Sequence, residues 1–248
     1  MAEDDRYSDI AEYYDHMLGE NPEREEFFRE IFQMHNVRNI LDCACGTGSD
    51  LILFNSLGYS VTGSDISESM LKVAQQKIAD CNADITLKKV DFHNLNKSFK
   101  AAFDAVVCLS NAVNEIDVDV IRALESMKSV LNKDGIIIFD QGQTDFTMKD
   151  PHAYFPAVNN KDLSRLFTMS YIKEIMDVNI FDFIHKENEG IYDFKHSAFK
   201  IRIRLHSDWV DIMRQVGLEA DFYGNWSFEP YDKEKSKRLI VVARNSTK

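Results

Sequence analysis

The sequence predicts a doubly wound α/β domain: a mostly parallel seven-stranded sheet with helices on both faces. Three observations predict it. Short apolar strands alternate with helical segments from residue 37 to about residue 145. A glycine turn, Leu41-Asp42-Cys43-Ala44-Cys45-Gly46-Thr47-Gly48, follows the first strand. An acid, Asp65, ends the second strand 17 residues after Gly48. Alternation builds parallel strands joined by crossover helices, and a glycine turn followed by an acid one step later is how a Rossmann-like sheet holds an adenosine-bearing ligand.

The elements follow in order. Residues 1–21 are acidic and aromatic, with Tyr7, Tyr13 and Tyr14. Pro22 opens a helix, and Phe27, Phe28, Ile31 and Phe32 give Glu23–Met34 one apolar face. Val37–Leu41 suits a buried parallel strand, broken by Arg38 and Asn39 and ended by Asp42. Ser49 and Asp50 can cap the helix Asp50–Leu57, whose start presents free N–H groups. Tyr59–Ser64, Ile85–Val90, Ala105–Leu109 and Ile136–Asp140 supply the next four strands. Ser67–Asp80 and Val118–Leu131 are helices between them, and Asn132-Lys133-Asp134-Gly135 turns the chain into strand five.

From Pro151 to about Leu205 the rhythm changes. Tyr171–Met176, Val178–His185 and Ala198–Leu205 read as β segments, an antiparallel insertion lying over the ligand site. Ser207–Val216 returns to helix and stops at Gly217. Glu219–Tyr223 and Leu239–Ala243 complete the sheet as an antiparallel pair, with the last strand running antiparallel. The expected organisation is one domain over residues 1–248, with an N-terminal lid segment of about 1–35 and a substrate-side insertion of about 146–206.

The turn itself discriminates between ligands. A dinucleotide fingerprint needs a third glycine, to bring helix and strand close under a pyrophosphate. Leu51 occupies that position here. Asp42 adds a carboxylate beside the turn, which repels a pyrophosphate and suits a cationic ligand such as an aminoacyl sulfonium. S-adenosylmethionine fits these features better than NAD.

On these residues the chain resembles the class I S-adenosylmethionine-dependent methyltransferases, over roughly residues 7–145. The resemblance implies that Asp42, Ala44, Gly46, Thr47 and Gly48 cradle the methionine part of the cofactor and that Asp65 meets the ribose. It places the run from Ile66 to Leu71 at the next helix start, with Met70 against adenine. Val90-Asp91-Phe92 resembles the end of strand three, whose acid meets the adenine amino group, and Cys108 and Leu109 resemble the end of strand four under the cofactor. A closer similarity is to glycine and glycine–sarcosine N-methyltransferases and related small-molecule enzymes. Gly19-x4-Arg24 looks like the segment whose arginine binds the cofactor carboxylate. Cys108-Leu109-Ser110-Asn111 resembles the element whose asparagine touches the acceptor. Those enzymes carry an acceptor-binding arginine in a D-x-R-N-Y-D pattern after strand five, whereas this chain has Asp140-Gln141-Gly142-Gln143-Thr144-Asp145, with Gly142 at the arginine position.

Composition narrows the partners. A net charge of −12, from 29 basic and 41 acidic residues, opposes nucleic acid and anionic membrane surfaces. Cys43 and Cys45 are too close for a disulfide and too few for a zinc site, so the four cysteines read as packing residues. No secretory signal or ~20-residue apolar run is visible, which makes a reducing, cytoplasmic setting the expectation.

The chemistry needs few groups, because methyl transfer from a sulfonium carries its own leaving group and the protein chiefly aligns and dries the reactants. His16, His93 and His152 are scattered, with no metal-ligand spacing. Tyr7, Tyr14, Tyr171, Trp226 and Tyr231 could enclose an ammonium-bearing acceptor. Asn111 and Tyr14 are the acceptor-side candidates. Lys200, Arg202, Arg204 and His206 alternate with apolar residues, either as a solvated sheet face or as an anion contact. The expected function is methyl transfer to a small-molecule amine, glycine/sarcosine-like or amino-sugar-like, with a possible homo-oligomer. Methylation at oxygen, carbon or sulfur of a small metabolite, or cofactor binding without catalysis, are the alternatives.

Overall fold

The computed structural model describes residues 5–17, 19, 21–186 and 192–245. A 3-10 segment, Ala11–Met17, precedes helix α1, Pro22–Met34. Then follow β1 (Asn39–Asp42), α2 (Ser49–Ser56), β2 (Ser60–Asp65), α3 (Glu68–Asp80), β3 (Ile85–Lys89), α4 (Leu95–Ser98), β4 (Phe103–Cys108), α5 (Val120–Ser129) and β5 (Leu131–Gln141). Four strands form the insertion: β6 (Tyr154–Asn159), β7 (Leu163–Ile172), β8 (Ile175–His185) and β9 (Tyr192–Arg202). Helix α6 (His206–Val216), β10 (Leu218–Tyr223) and β11 (Leu239–Asn245) close the chain.

The main sheet has the order β10-β11-β5-β4-β1-β2-β3, and β11 runs antiparallel to both its neighbours. Strand order reverses between β1 and β4, and ligands of open α/β sheets bind at such a crevice. One face of the sheet is covered by α1, α2 and α3 through Phe27, Phe28, Phe32, Leu51, Phe54 and Ile78. The other is covered by α5 and α6 through Leu124, Met127, Trp209 and Met213.

Local chemistry sets the helix ends. Asn21 caps α1, its Oδ1 accepting from the Arg24 N–H at 2.9 Å, with Pro22 in the first turn. Ser67 caps α3 through its Oγ, which accepts from the Met70 N–H at 3.1 Å. Gly217 ends α6 at φ +66, where a Cβ would be strained.

The insertion is a separate antiparallel sheet, β6-β7-β8-β9. Its strands are longer than periodicity suggests. Tyr171–Met176 contains the β7–β8 turn, with Lys173 at φ +55, and neither β6 nor the first part of β7 announces itself in the sequence. Residues 132–135 belong to β5, where the pairing with β4 shifts register between Phe103 and Ala105. The inner face of the insertion, Met176, Val178, Ile180 and Ile201, packs on Ile10, Ala11 and Met70. The N-terminal segment therefore lies between the insertion and α3. Among the described residues, no helix is long and apolar enough to cross a membrane.

Candidate active site

The site grows from the turn between β1 and α2. The Cys45 N–H donates to the Ser64 carbonyl at 3.0 Å and the Gly48 N–H to the Cys45 carbonyl at 2.8 Å, which ties the turn to β2. Gly48 has φ +79, and a Cβ there would meet Ala74 of α3 at 3.0 Å. Gly63 permits an even closer approach, since a Cβ would fall 2.5 Å from Leu51 and 2.7 Å from Leu87. The space under the turn is thus filled by Leu51. At Gly46, with φ +50, a Cβ would meet nothing within 4 Å. That face of the turn is where a ligand can approach the backbone.

Asp65 faces the turn from the end of β2. One carboxylate oxygen accepts from the Gly46 N–H at 2.8 Å and the other from the Ser67 N–H at 2.9 Å. These bonds orient the group and leave further lone pairs for ligand hydroxyls. Asp42 is 2% exposed and accepts from the Ala44 N–H at 3.3 Å. Burial pushes its carboxyl well above the usual carboxylate range; Asp50 and Asp65 add to this and Arg24 opposes it. Burial raises Asp65 as well, against the hydrogen bonds from Ser67 and Gly46. A buried group of like charges of this kind favours a cationic ligand.

A raised pKa in the folded state means that ionising Asp42 costs stability. That cost is absent below its ordinary 3.8 and grows as pH rises through the folded value. Asp42→Asn is therefore expected to raise the melting temperature of the ligand-free protein at neutral pH by roughly 2–4 °C, to flatten the fall in stability between acid and neutral pH, and to weaken cofactor binding. Thermal unfolding across that pH range, beside a cofactor titration, checks all three.

The N-terminal segment is fastened over this turn. Asp15 accepts from Thr47 Oγ1 at 2.5 Å and Ser49 Oγ at 3.2 Å, and pairs with Lys77 of α3. Asp5 accepts from Ser67 Oγ, the Ser69 N–H and Ser69 Oγ at 2.8–3.0 Å. The Tyr7 hydroxyl donates to Glu115, which also accepts from Arg6 at 3.1 Å. Tyr14 is pushed up to about 12 by burial, with Asp65, Asp50, Glu115 and Asp15 adding to the shift, so its phenol stays protonated. Neither Ser49 nor Asp50 caps α2. Gly48 takes that place, Ser49 serves Asp15, and Asp50 holds Arg24 through two bonds of 2.6 and 2.7 Å. The Arg24 guanidinium also lies over Phe28 and Trp226, at 5.1 and 5.4 Å. Two of its five N–H bonds are engaged by Asp50.

At the end of β4, Ser110 and Asn111 both adopt left-handed backbone, φ +60 and +68. Asp140 holds this bend by accepting from the Ser110 N–H at 2.7 Å on its side chain and the Asn111 N–H at 3.2 Å on its carbonyl. Asn111 Oδ1 in turn accepts from the Gly142 N–H at 3.1 Å, joining the ends of β4 and β5. Cys108 and Leu109 are buried just before the bend.

The remaining expected cofactor residues are more dispersed. Met70 is buried against Ile10 and Met176, and Ile66 is exposed. Asp91 spends both oxygens locally, accepting from the His93 N–H at 2.9 Å and Asn94 Nδ2 at 3.2 Å and bonding His93 Nδ1 at 2.7 Å. Phe92 packs on the core and Ala44 lies against it. Asp5, Asp15 and Glu115 join the site with no motif to mark them; their partners Ser67, Thr47 and Tyr7 lie 62, 32 and 108 residues away, which hides them from local pattern.

The donor set fits an aminoacyl sulfonium nucleoside. It offers acids around a cation, an open backbone at Gly46, an acid oriented for vicinal hydroxyls and an arginine with spare donors. The family described as a methyltransferase domain matches residues 40–135. A glycine/sarcosine N-methyltransferase from Parasynechococcus marenigrum is 30% identical over 55% of this chain and 50% of its own length. The chain spans about half the length of the first curated relatives it matches. Among solved structures, an S-adenosylmethionine-dependent methyltransferase from Clostridium acetobutylicum superposes with a TM-score of 0.82 at 19% identity, over 97% of this chain and 99% of the other. A sugar N-methyltransferase from Streptoalloteichus gives 0.76 at 18% identity, over 95% and 92%. Sheet order, glycine turn and sequence match converge: residues 40–135 match a methyltransferase domain, and the chain has the fold of an S-adenosylmethionine-dependent methyltransferase.

Proposed function

We propose that the chain transfers a methyl group to the nitrogen of a small amine, glycine/sarcosine-like or amino-sugar-like. One observation carries the reading: Asp65 oriented against the glycine turn beneath a fastened N-terminal segment, with the Asn111 bend beside it at the end of β4. Support comes also from the glycine/sarcosine and sugar N-methyltransferases it resembles.

Bound at the turn, S-adenosylmethionine supplies an electrophilic methyl group. In this reading Asp65 takes the ribose hydroxyls, Gly46, Thr47 and Gly48 receive the aminoacyl part, and Arg24 holds its carboxylate. Met70 covers the adenine and Asp42 balances the sulfonium charge. The N-terminal segment excludes water. Asn111 orients the acceptor and Tyr14, protonated, walls the reacting centre. The acceptor amine arrives unprotonated, so alignment supplies most of the rate. The same reading allows a homo-oligomer, which light scattering measures directly.

Calorimetric titration with S-adenosylmethionine, and with NAD as control, tests the cofactor. Binding of the first alone is expected; preference for NAD would sink the proposal. An acceptor screen beginning with glycine, sarcosine and amino sugars follows. Asn111→Ala is expected to keep cofactor affinity and lower turnover roughly 100-fold through misplaced acceptor. Unchanged turnover in that variant removes Asn111 from the acceptor site.

A further inference from the structure

Two arginines among the described residues are buried, Arg165 and Arg204. Arg165 is matched by Asp182 through two short bonds. Arg204 has no carboxylate within ion-pair distance among the described residues. Its NH1 donates to Asn114 Oδ1 at 2.9 Å and to the Val113 carbonyl at 3.4 Å, both neutral, and the guanidinium lies 5.8 Å from the Trp209 ring centre. Asp208, in the first turn of α6, favours the cation from beyond contact, with its Oδ2 accepting from the Leu205 N–H at 2.7 Å; Arg202 opposes it. A buried cation facing only neutral acceptors is strongly unfavourable. The alternating charges of residues 200–206 are therefore not one solvated face: Lys200 is exposed and pairs with Asp177, while Arg204 turns inward.

Its place gives the cation meaning. Asn114 Nδ2 and Trp209 Nε1 both donate to Gln141 Oε1, at 2.7 and 2.8 Å, and Gln141 Nε2 donates to the Arg204 carbonyl at 2.6 Å. This network fixes Arg204 where β4 and β5 end, on the turn that begins at Asn111. A second polar group in the same network lacks a partner: Gln143 Oε1 is buried and unbonded, while its backbone carbonyl accepts from Gln141 Nε2. Beside it, a Cβ on Gly142 would meet nothing within 4 Å.

We infer that Arg204 anchors an anionic group of the methyl acceptor, a carboxylate or another oxyanion, with Gln143 Oε1 accepting a hydrogen bond from the same molecule. The inference rests on the reading of this chain as a small-molecule N-methyltransferase and narrows its acceptor to an amine that carries an oxyanion. The open space at Gly142 leaves room for a substituent larger than a hydrogen.

Thermal unfolding of the full chain at constant ionic strength, with sodium acetate replacing sodium chloride, tests it. The wild type is expected to gain about 2–4 °C in acetate. Arg204→Met is expected to show no gain, and to melt in chloride at or above the wild type because the unmatched cation is gone. Arg204→Lys keeps the charge without the planar fork, and is expected to show a reduced gain. No acetate gain in the wild type, an equal gain in Arg204→Met, or a lowered melting temperature of Arg204→Met in chloride would each overturn the inference. The cofactor titration separates the two failures. Cofactor binding without an acetate response removes the anion anchor alone, whereas absent cofactor binding removes the methyltransferase reading.

Discussion

Asp182→Ala is expected to destabilise the protein by about 3–5 kcal/mol, the cost of leaving a buried arginine without its counter-ion. Arg165 and Asp182 face each other across β7 and β8 in register, and their side chains are 0% and 1% exposed. Arg165 Nε donates to one carboxylate oxygen at 2.7 Å and NH2 to the other at 2.6 Å. Its NH1 also donates to the Tyr13 carbonyl at 3.3 Å, so the pair fastens the N-terminal segment to the insertion. Removing the carboxylate strands the cation and loosens this attachment at once. Urea unfolding measures the loss through the midpoint and slope. A cost below about 1 kcal/mol would mean that water reaches Arg165 and that the pair behaves like a surface bridge. The double replacement Arg165→Met with Asp182→Leu is expected to recover most of the stability, because apolar residues of similar volume replace buried pairs well. Its cofactor affinity would then show how far closure of the segment depends on the pair.

Asp65→Ala is expected to weaken S-adenosylmethionine binding by about 1–3 kcal/mol, roughly 5- to 150-fold. In the proposed reading the change removes the acceptor for ribose hydroxyls, and it leaves the Gly46 and Ser67 N–H groups without their partner. Asp65→Asn keeps one acceptor oxygen and should lose less. The pH dependence has a definite sign. Burial raises the Asp65 carboxyl above its ordinary value, and the ionised form is the stronger acceptor. Affinity of the wild type should therefore rise with pH through that raised value, and the Asn variant should lose this component. Titrations at several pH values read both effects. Affinity in Asp65→Ala equal to that of the wild type would remove the residue from the cofactor site.

The two variants probe different kinds of information in the chain. The glycine turn, Asp42, Asp65, the apolar face of α1 and the strand–helix alternation were all legible in the sequence. Each rests on neighbours within a few residues: a backbone that needs positive φ, an acid ending a strand, or aromatic residues at helical spacing. The antiparallel last strand was legible too, because β10 and β11 follow α6 without a crossover helix. The insertion was legible only as a change of rhythm. Its strands β6 and β7 are half-exposed and interrupted by Pro156 and by polar residues, so their extent depends on partners that arrive later in the chain.

Charge placement lay beyond the sequence altogether. Arg24 reads as a ligand for a cofactor carboxylate, and only the packing of α1 against α2 brings Asp50 onto it. Asp15 meets Thr47 and Lys77 because the N-terminal segment folds back over the turn. Arg204 reads as one of four alternating charges, yet the end of β9 turns it under Val113 and Asn114. Local sequence determines turns, periodicity and caps because those energies act between near neighbours. Which charges are buried, and which find a counter-ion, is decided by the tertiary structure. Desolvation and ion pairing depend on distances in space, and here Arg165 and Asp182 are 17 positions apart along the chain and Arg24 and Asp50 are 26 apart.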